Sequence, residues 1–174
     1  MFSKGVSVGT DGRGFTALAA AALAFASATA LAAVEVFAGE KQLDPELVRS
    51  AFTKATSPGR CEIINRNPTV IIDAAHNPHG AVSLRKTISD EFDFSAIIGV
   101  IAPMADKDVD GILEECEQIM SRVIVTRNSS HRAAEIEELK SQAIDVFGSD
   151  RVSSCETLHQ AITESMEQAK LLNA

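Results

Sequence analysis

Residues 70–80 carry the pattern from which the fold is predicted: Val70-Ile71-Ile72-Asp73-Ala74-Ala75-His76-Asn77-Pro78-His79-Gly80. An apolar strand delivers Asp73 to its tip, small residues turn the chain, and Asn77-Pro78 can cap and begin a helix. Ligands of open α/β sheets gather at the carboxyl ends of strands, where such loops lead into helices. Asp73 could therefore accept hydrogen bonds from ribose hydroxyls, and His76 could hold a substrate carboxylate beside the helix N-terminus. The alternative is that Asp73 and Asn77 only close the turn.

The rest of the chain after residue 58 repeats this alternation of strand and helix. Short β-branched runs predict strands at 62–65, 69–72, 96–101, 123–126 and, more weakly, 151–153. Segments of helical period lie at 78–90, 109–121, 133–147 and 155–171. This order predicts an α/β fold, a Rossmann-like and mostly parallel sheet with helices on both faces. The first two runs are separated only by Arg66-Asn67-Pro68 and are expected to form a hairpin at one edge of the sheet.

Two helices are predicted ahead of the sheet. An uncharged, Ala-rich run from Gly14 to Val34 allows three interpretations: a helix packed in a domain and stopped at Gly39, a segment like a secretory signal, or a membrane anchor. A second, short helix begins at Asp44-Pro45, an N-cap followed by proline at the first helical position, and runs to about Lys54. Residues 1–14 are expected to form a loose tail.

Composition narrows the class of protein. The chain has 174 residues, a net charge of −8 and a hydrophobic fraction of 45%, which suits a globular domain with a core. An acidic balance argues against nucleic-acid or anionic-membrane partners, which require clustered Lys and Arg. The three widely spaced cysteines give neither a zinc site nor a disulfide framework, and they suit a reducing cytoplasm.

Two further loops carry polar residues at predicted strand ends. In residues 103–108, Lys107 could present its ammonium group to phosphate while Asp108 caps the next helix. In residues 128–132, Ser130 and Arg132 suit the recognition of a carboxylate or a phosphate. On residue type alone a solvated charge cluster is favoured for the first loop, and simple helix capping explains the second loop equally well. No metal site is expected, since His76 and His79 have no carboxylate partner in ligand register.

Three motifs in this order resemble the C-terminal domain of the folylpolyglutamate synthase/dihydrofolate synthase family, part of the Mur ligase superfamily. They are Ser57-Pro58-Gly59-Arg60-Cys61-Glu62, Asp73-Ala74-Ala75-His76-Asn77-Pro78 and Asp106-Lys107-Asp108. The segment 125–133 is similar to the family's next strand and loop, and the similarity extends over roughly residues 28–170.

The resemblance implies an ATP-dependent, ADP-forming ligase that adds L-glutamate to folate or dihydropteroate with the help of magnesium. By this resemblance Arg60 and Asp73 contact the nucleotide, and His76 binds glutamate or steadies the intermediate, with Asn77 beside it. Lys107 and Ser130 are further candidates, for catalysis and for substrate binding respectively.

The resemblance also implies a division of the chain and a missing half. Residues 15–57 correspond to the end of the family's central domain with its linker, and residues 58–174 to the C-terminal α/β domain without its final strand. The family's N-terminal ATPase domain, which holds the P-loop, the magnesium ligands and the folate pocket, has no counterpart in these residues. The chain alone is therefore expected to be inactive. The alternatives are a non-enzymatic nucleotide- or amino-acid-binding module, a decayed ligase remnant, or an exported α/β domain if the first residues are a true signal.

Overall fold

The computed structural model describes residues 17–39, 43–54 and 58–172, so the predicted tail at 1–14 lies outside the described residues. The chain forms two compact units, Met1–Thr56 and Ser57–Ala174. The first contains helices α1 (Ala17–Ala38) and α2 (Pro45–Lys54). The second contains five strands and four longer helices, joined by short loops.

Helix α1 ends where the sequence predicts. Gly39 has a φ of +65° and donates its N–H to the carbonyl of Glu35 at 3.1 Å, which is the geometry of a C′ glycine. The burial that a helix packed in a domain would require is not found in the last turns, because Val34, Val36 and Phe37 are 50%, 84% and 93% exposed. No helix in the described ranges combines the length and the apolar character needed to cross a membrane.

Helix α2 begins at the predicted cap. The Asp44 carboxylate accepts the N–H of Glu46 at 2.8 Å, and the Asp44 carbonyl accepts that of Val48 at 3.0 Å. Pro45 occupies the first helical position, where its missing N–H costs nothing. The local signals therefore predicted both helices of this unit.

The second unit confirms the α/β prediction. Its strands are β1 (Glu62–Arg66), β2 (Thr69–Ile72), β3 (Ile98–Ile101), β4 (Arg122–Val125) and β5 (Val152–Ser154). Its helices are α3 (Pro78–Glu91), α4 (Val109–Glu117), α5 (Ile136–Phe147) and α6 (Leu158–Leu172), with a single 3-10 turn before β5. Strands β3, β4 and β5 form a parallel sheet in that order. Helices α4 and α5 pack together on one face of the sheet, and α6 contacts β3 and β4 from the other.

The hairpin is present, but its predicted place at the edge of the main sheet is wrong. Strands β1 and β2 pair antiparallel with each other and form a separate two-stranded sheet. The strand that leads to Asp73 is also not buried, since Ile72 is 40% exposed. The apolar character of residues 69–72 predicted a covered parallel strand, yet no described strand pairs with the outer edge of β2.

The core lies between the parallel sheet and its helices. Val123, Ile124 and Val125 on β4 are fully buried, as are Leu113 on α4 and Leu139 on α5. Burial of such a side chain stabilises a fold by about 1.5–3 kcal/mol relative to leaving it exposed. The centre of the sheet is therefore the rigid platform from which the loops after β3 and β4 project.

A polar cluster holds α6 against the end of β5. The Glu164 carboxylate accepts hydrogen bonds from the Ser153 hydroxyl at 2.7 Å, the Cys155 thiol at 3.2 Å and the Gln168 amide at 2.9 Å. Loss of hydration and the bonded Glu164 carboxylate raise the pKa of Cys155 to about 11. This thiol is therefore protonated at neutral pH, and its role is to anchor the helix.

Candidate functional site

The loop after β2 is closed by Asp73. One carboxylate oxygen accepts the N–H of Cys61 at 2.7 Å, and the other accepts the N–H of Ala75 at 2.7 Å. The N–H of Ala74 donates to the carbonyl of Gly59, also at 2.7 Å. These three bonds, called here the Asp73 clamp, hold the segment before β1 against the segment after β2.

The clamp stabilises an unusual turn in the segment before β1. Gly59 has a φ of +71° and Cys61 a φ of +46°, and the latter is uncommon for a residue with a side chain. A charge-assisted bond from Cys61 to Asp73 offsets the strain of that conformation. Between them Arg60 is exposed, and it makes no hydrogen bond or ion pair within the described part of the chain. The turn thus presents a free guanidinium group beside the clamp.

His76 follows the clamp and is exposed. Its Nδ1 lies 2.9 Å from the carbonyl oxygen of Ala74. A carbonyl only accepts, so Nδ1 carries a proton in this arrangement and the tautomer is assigned from that bond. Nε2 is therefore the lone-pair nitrogen of the neutral ring, or a second donor when the ring is charged. Either form leaves Nε2 available to a ligand.

Helix α3 starts immediately after His76. The Asn77 side chain accepts the N–H of Gly80 at 2.8 Å, and its carbonyl accepts that of Ala81 at 3.0 Å. Pro78 has no N–H, so among the first-turn donors only the His79 N–H has no partner within the described residues. The N-terminus therefore retains one donor and the positive end of the helix dipole.

The loops after β3 and β4 are joined by backbone bonds. The N–H of Ala105 donates to the Arg132 carbonyl at 2.9 Å, and the N–H of Ala134 donates to the Pro103 carbonyl at 3.2 Å. The Asn128 amide donates to the carbonyls of Ala102 and Pro103 at 2.9 and 3.2 Å. The two loops therefore behave as one rigid ridge at the carboxyl edge of the sheet.

Ser130 has a role inside this ridge. Its hydroxyl oxygen accepts the N–H of Arg132 at 3.1 Å, and its own N–H donates to the Asn128 side chain at 2.8 Å. The hydroxyl proton is not used by either bond, so Ser130 keeps one donor for a ligand. The residue closes a turn and remains a candidate for substrate binding.

A charge cluster forms on the ridge. The Asp106 carboxylate pairs with the Arg132 guanidinium and lies 3.8 Å from the Lys107 ammonium. Loss of hydration acts to raise the pKa of Asp106, but Arg132 and Lys107 outweigh it, so the pKa lies below 3.8. Lys107 is therefore held near a carboxylate while its side chain stays 31% exposed.

Removal of the guanidinium in Arg132→Gln is expected to raise the pKa of Asp106 toward its ordinary value, because the main charge that favours the carboxylate is gone. The folded-state pKa is depressed, so the contribution of this carboxyl to stability is present above the unfolded pKa and is lost as the pH falls through the folded value. NMR titration of the Asp106 carboxyl carbon measures the shift. Arg127→Gln, at an exposed position of the same loop after β4, should leave that titration unchanged. An identical curve for both variants would contradict the ion pair.

The N-termini of α3 and α4 meet at Gly111. A β-carbon at Gly111 would lie 2.7 Å from Cγ of Pro78 and 2.9 Å from Oδ2 of Asp108, so only glycine allows this approach. Asp108 caps α4 through the N–H of Gly111 at 3.0 Å, as the sequence predicted. This contact links the region of the Asp73 clamp to the ridge.

Gly111→Ala is expected to destabilise the fold by about 1–3 kcal/mol, because the methyl group overlaps the rigid proline ring. Helix propensity alone would favour alanine by about 1 kcal/mol, so the sign of the effect distinguishes the two causes. Chemical denaturation measures the change. Glu114→Ala, at an exposed position of the same helix, should stay within about 0.5 kcal/mol of the parent. A stabilising Gly111→Ala would show that the helices do not approach this closely.

The candidate residues named from the sequence fall into two groups. The first comprises Arg60, Asp73, His76 and Asn77, which the clamp and the start of α3 bring together. The second comprises Lys107 and Ser130 on the ridge, joined to the first through the contact between α3 and α4. Among the described residues, no group of three or more His, Cys, Asp or Glu side chains is arranged to hold a metal ion.

Several contacts that shape the site were not predicted from the sequence. Cys61 was considered only as a thiol, whereas its contribution is a backbone N–H in a left-handed conformation. Asn128 ties two loops across 26 residues of sequence, and the partnership of Asp106 with Arg132 spans the same distance. A contact of that range leaves no periodic signal, so only the three-dimensional structure reveals it.

The fold and the site define the class of protein. Residues 59–171 match the family described as "Mur ligase, glutamate ligase domain", and the chain belongs to this family. The match covers the hairpin, the parallel sheet and the helices that flank it.

Within this family, the chain is similar to dihydrofolate synthases and folylpolyglutamate synthases. The chain is 49% identical over 136 residues to the dihydrofolate synthase/folylpolyglutamate synthase of Mycobacterium tuberculosis, covering 76% of this chain and 28% of the relative. The structure of M. tuberculosis folylpolyglutamate synthase complexed with ADP superposes with a TM-score of 0.74 at 48% identity, covering 81% of this chain and 31% of that one. Escherichia coli FolC in complex with DHPP and ADP gives a TM-score of 0.68 at 28% identity over 81% and 32%. The chain therefore spans about a third of the length of these relatives.

Proposed function

We propose that residues 59–171 form the C-terminal part of an ATP-dependent ligase that joins L-glutamate to folate or dihydropteroate. The observation that carries this proposal is the Asp73 clamp, which holds the loop that carries the exposed Arg60 against the loop that carries the exposed His76. A free guanidinium suits anionic ligands, and so does a ring nitrogen at a helix N-terminus when the ring is protonated. The similarity to synthases solved with ADP supports the same assignment.

Arg60 is the proposed contact to the nucleotide. Its guanidinium has no partner within the described residues, so it can bind a phosphate or stack on a base without breaking a bond. Asp73 shapes this contact through the clamp, and each of its oxygens keeps a lone pair with which a ribose hydroxyl could bond. This chain thus supplies one side of the proposed MgATP-binding site. The residues that bind the magnesium ion are expected in the N-terminal ATPase region of the longer enzyme.

His76 is the proposed contact to glutamate. Nε2 can donate to a substrate carboxylate when the ring is protonated, and the His79 N–H adds a second donor at the start of α3. Asn77 holds that helix start in place. Lys107 and Ser130 on the ridge offer an ammonium and a hydroxyl proton to the same anionic reactants.

The proposed reaction is the one that the resemblance to the synthases implies. The γ-phosphoryl group of ATP passes to the folate carboxylate, which gives an acyl phosphate and ADP. The amino group of glutamate then attacks the acyl carbon, the C–O bond to phosphate breaks, and inorganic phosphate leaves as the amide forms. Positioned cations and dipoles lower the barrier by neutralising phosphoryl charge and aligning the reactants. The folate pocket and the P-loop are expected in the other two thirds of the enzyme. We propose that the reaction takes place in the cytoplasm.

A protein of these 174 residues is expected to bind MgATP weakly or not at all and to release no phosphate with dihydropteroate and glutamate. The test mixes this protein with the M. tuberculosis relative from which the matching stretch has been removed, and measures glutamate-dependent phosphate release. Restored turnover supports the ligase assignment. Robust turnover by the chain alone would contradict the proposal that it needs the rest of the enzyme for activity. Failure to restore any activity would favour a binding module or a decayed remnant.

A hybrid protein makes the same test independent of association between two chains. In this hybrid, residues 59–171 replace the matching stretch of the M. tuberculosis relative. We expect glutamate-dependent phosphate release well above that of the relative lacking the stretch. A folded hybrid without this activity would contradict the proposed function.

A further inference from the structure

The turn before β1 has one contact that neither the Asp73 clamp nor the proposed substrate contacts include. The Glu62 carboxylate accepts the N–H of Gly59 at 2.8 Å, across three residues of sequence. Glu62 is the first residue of β1 and lies opposite Ile72 in the hairpin, so its carboxylate is carried by a paired strand. This bond therefore ties the turn to β1, whereas the clamp ties the turn to the segment after β2.

Gly59 is the residue of this turn that most needs to be held in place. Its φ is +71°, and a β-carbon built on it would meet no atom within 4 Å. Glycine is therefore required here by the backbone conformation and not by crowding. Because glycine adopts positive and negative φ about equally readily, it does not hold one conformation by itself. The bond from its N–H to Glu62 and the bond from Ala74 to its carbonyl together select this one.

Arg60 lies between two residues that are held in the left-handed region. Gly59 and Cys61 have φ values of +71° and +46°. A carboxylate accepts the N–H group of each, Glu62 for the first and Asp73 for the second. A long side chain loses rotamer freedom when it binds a ligand, and a backbone already fixed on both sides reduces the ordering that remains. The turn is thus a rigid base for the Arg60 side chain.

The two carboxylates on this turn are occupied by the backbone and leave Arg60 free. A guanidinium close to carboxylates in sequence and space ordinarily pairs with one of them. Both oxygens of Asp73 and one oxygen of Glu62 instead accept backbone N–H groups. Arg60 makes no hydrogen bond or ion pair with any residue that the structure describes, so its five N–H donors are open to an anionic ligand.

We infer that Glu62 is a positioning residue for Arg60, which holds the backbone at Gly59 so that the guanidinium meets the phosphate groups of a nucleoside triphosphate. This inference rests on the proposed function, in which Arg60 contacts the nucleotide. Glu62 acts through the turn and needs no contact of its own with the nucleotide. Its action depends on an acceptor oxygen and not on its charge, so glutamine can replace it and alanine cannot.

Backbone 15N relaxation of the 174-residue protein tests the first half of this inference without any ligand. In the parent, the order parameters of Gly59 and Arg60 should be about 0.85, the value of rigid backbone. In Glu62→Ala they should fall below about 0.6, while Cys61 stays rigid because Asp73 still accepts its N–H. Glu62→Gln should resemble the parent. Unchanged order parameters at Gly59 and Arg60 in Glu62→Ala would overturn the inference.

Nucleotide affinity tests the second half, in the hybrid protein that carries residues 59–171. Calorimetry with a non-hydrolysable ATP analogue should show that Glu62→Ala binds about tenfold more weakly, as expected for the loss of one ordering hydrogen bond. The KM for ATP should rise by a similar factor, while kcat and the KM for glutamate stay within about twofold. Glu62→Gln should bind like the parent hybrid. Glu114→Ala, which removes a carboxylate from an exposed position of α4, should do the same.

The outcomes separate this inference from the proposed function. Equal analogue affinity in the parent hybrid and in Glu62→Ala would overturn the positioning role. Equal losses in Glu62→Ala and Glu62→Gln would assign the effect to charge and would also overturn it. A parent hybrid that binds the analogue but releases no phosphate would contradict the ligase function, and the affinities would still decide the role of Glu62. A parent hybrid that does not bind the analogue would overturn the inference, since Arg60 would have no nucleotide to meet.

Discussion

Asp73→Ala is expected to lower the free energy of unfolding of the second unit by about 2–4 kcal/mol. The substitution leaves the N–H groups of Cys61 and Ala75 without their acceptor, and an unsatisfied, partly buried donor costs about 1–3 kcal/mol. It also removes the bond that offsets the left-handed conformation of Cys61. Urea denaturation followed by circular dichroism measures the loss.

Two further variants separate the clamp from a general charge effect. Asp73→Asn retains one acceptor oxygen and should lose about half as much stability. Asp93→Ala removes the same charge from an exposed position without a described partner, and it should change stability by no more than about 0.5 kcal/mol. If Asp73→Ala were as stable as Asp93→Ala, the clamp would not hold the loops together.

His76→Ala in the hybrid protein is expected to lower kcat/KM for glutamate by about 10²-fold or more. The substitution removes a positioned donor from the anionic reactants, and the loss of one such group typically costs 10²–10³-fold. The side chain is exposed and its one intramolecular bond is to a local carbonyl, so stability should hardly change. Phosphate release at varied glutamate concentration measures the effect.

His79 provides the matched control, because it is an exposed histidine on the first turn of the same helix. His79→Ala should retain activity within a few-fold of the hybrid, since its proposed contribution is a backbone N–H that alanine also has. Equal losses in the two variants would mean that the ring of His76 has no particular part in glutamate binding. A loss of melting temperature in His76→Ala alone would indicate a structural role.

The sequence predicted the elements of the second unit because their boundaries are chemically marked. Asn77-Pro78 and Asp108 cap α3 and α4 as expected, β3 lies within the predicted run 96–101, and β4 is offset by one residue from the predicted run 123–126. These signals are local, since each depends on neighbours within about four residues. The order of the three motifs indicated the resemblance to the synthases, and the family match confirms the Mur ligase family.

The features that could not be predicted depend on contacts between distant residues. The apolar run before Asp73 gave no indication that β2 pairs only with β1, because pairing is decided by strands elsewhere in the chain. The predicted role of Asp73 as a ligand also gave no indication of its bond to Cys61, 12 residues earlier. Whether Asp73, Asn77 and Ser130 also contact a substrate stays a prediction, and their turn-closing bonds are compatible with it.

The central claim is that the loop after the Asp73 clamp lines a site for glutamate. The 15N NMR spectrum of His76 in the hybrid protein tests this claim most directly. The His76→Ala variant identifies its signals, and L-glutamate is added together with a non-hydrolysable ATP analogue. We predict that the Nε2 signal shifts on addition while Nδ1, bonded to the Ala74 carbonyl, stays in place. An unchanged Nε2 signal at saturating glutamate would contradict the claim.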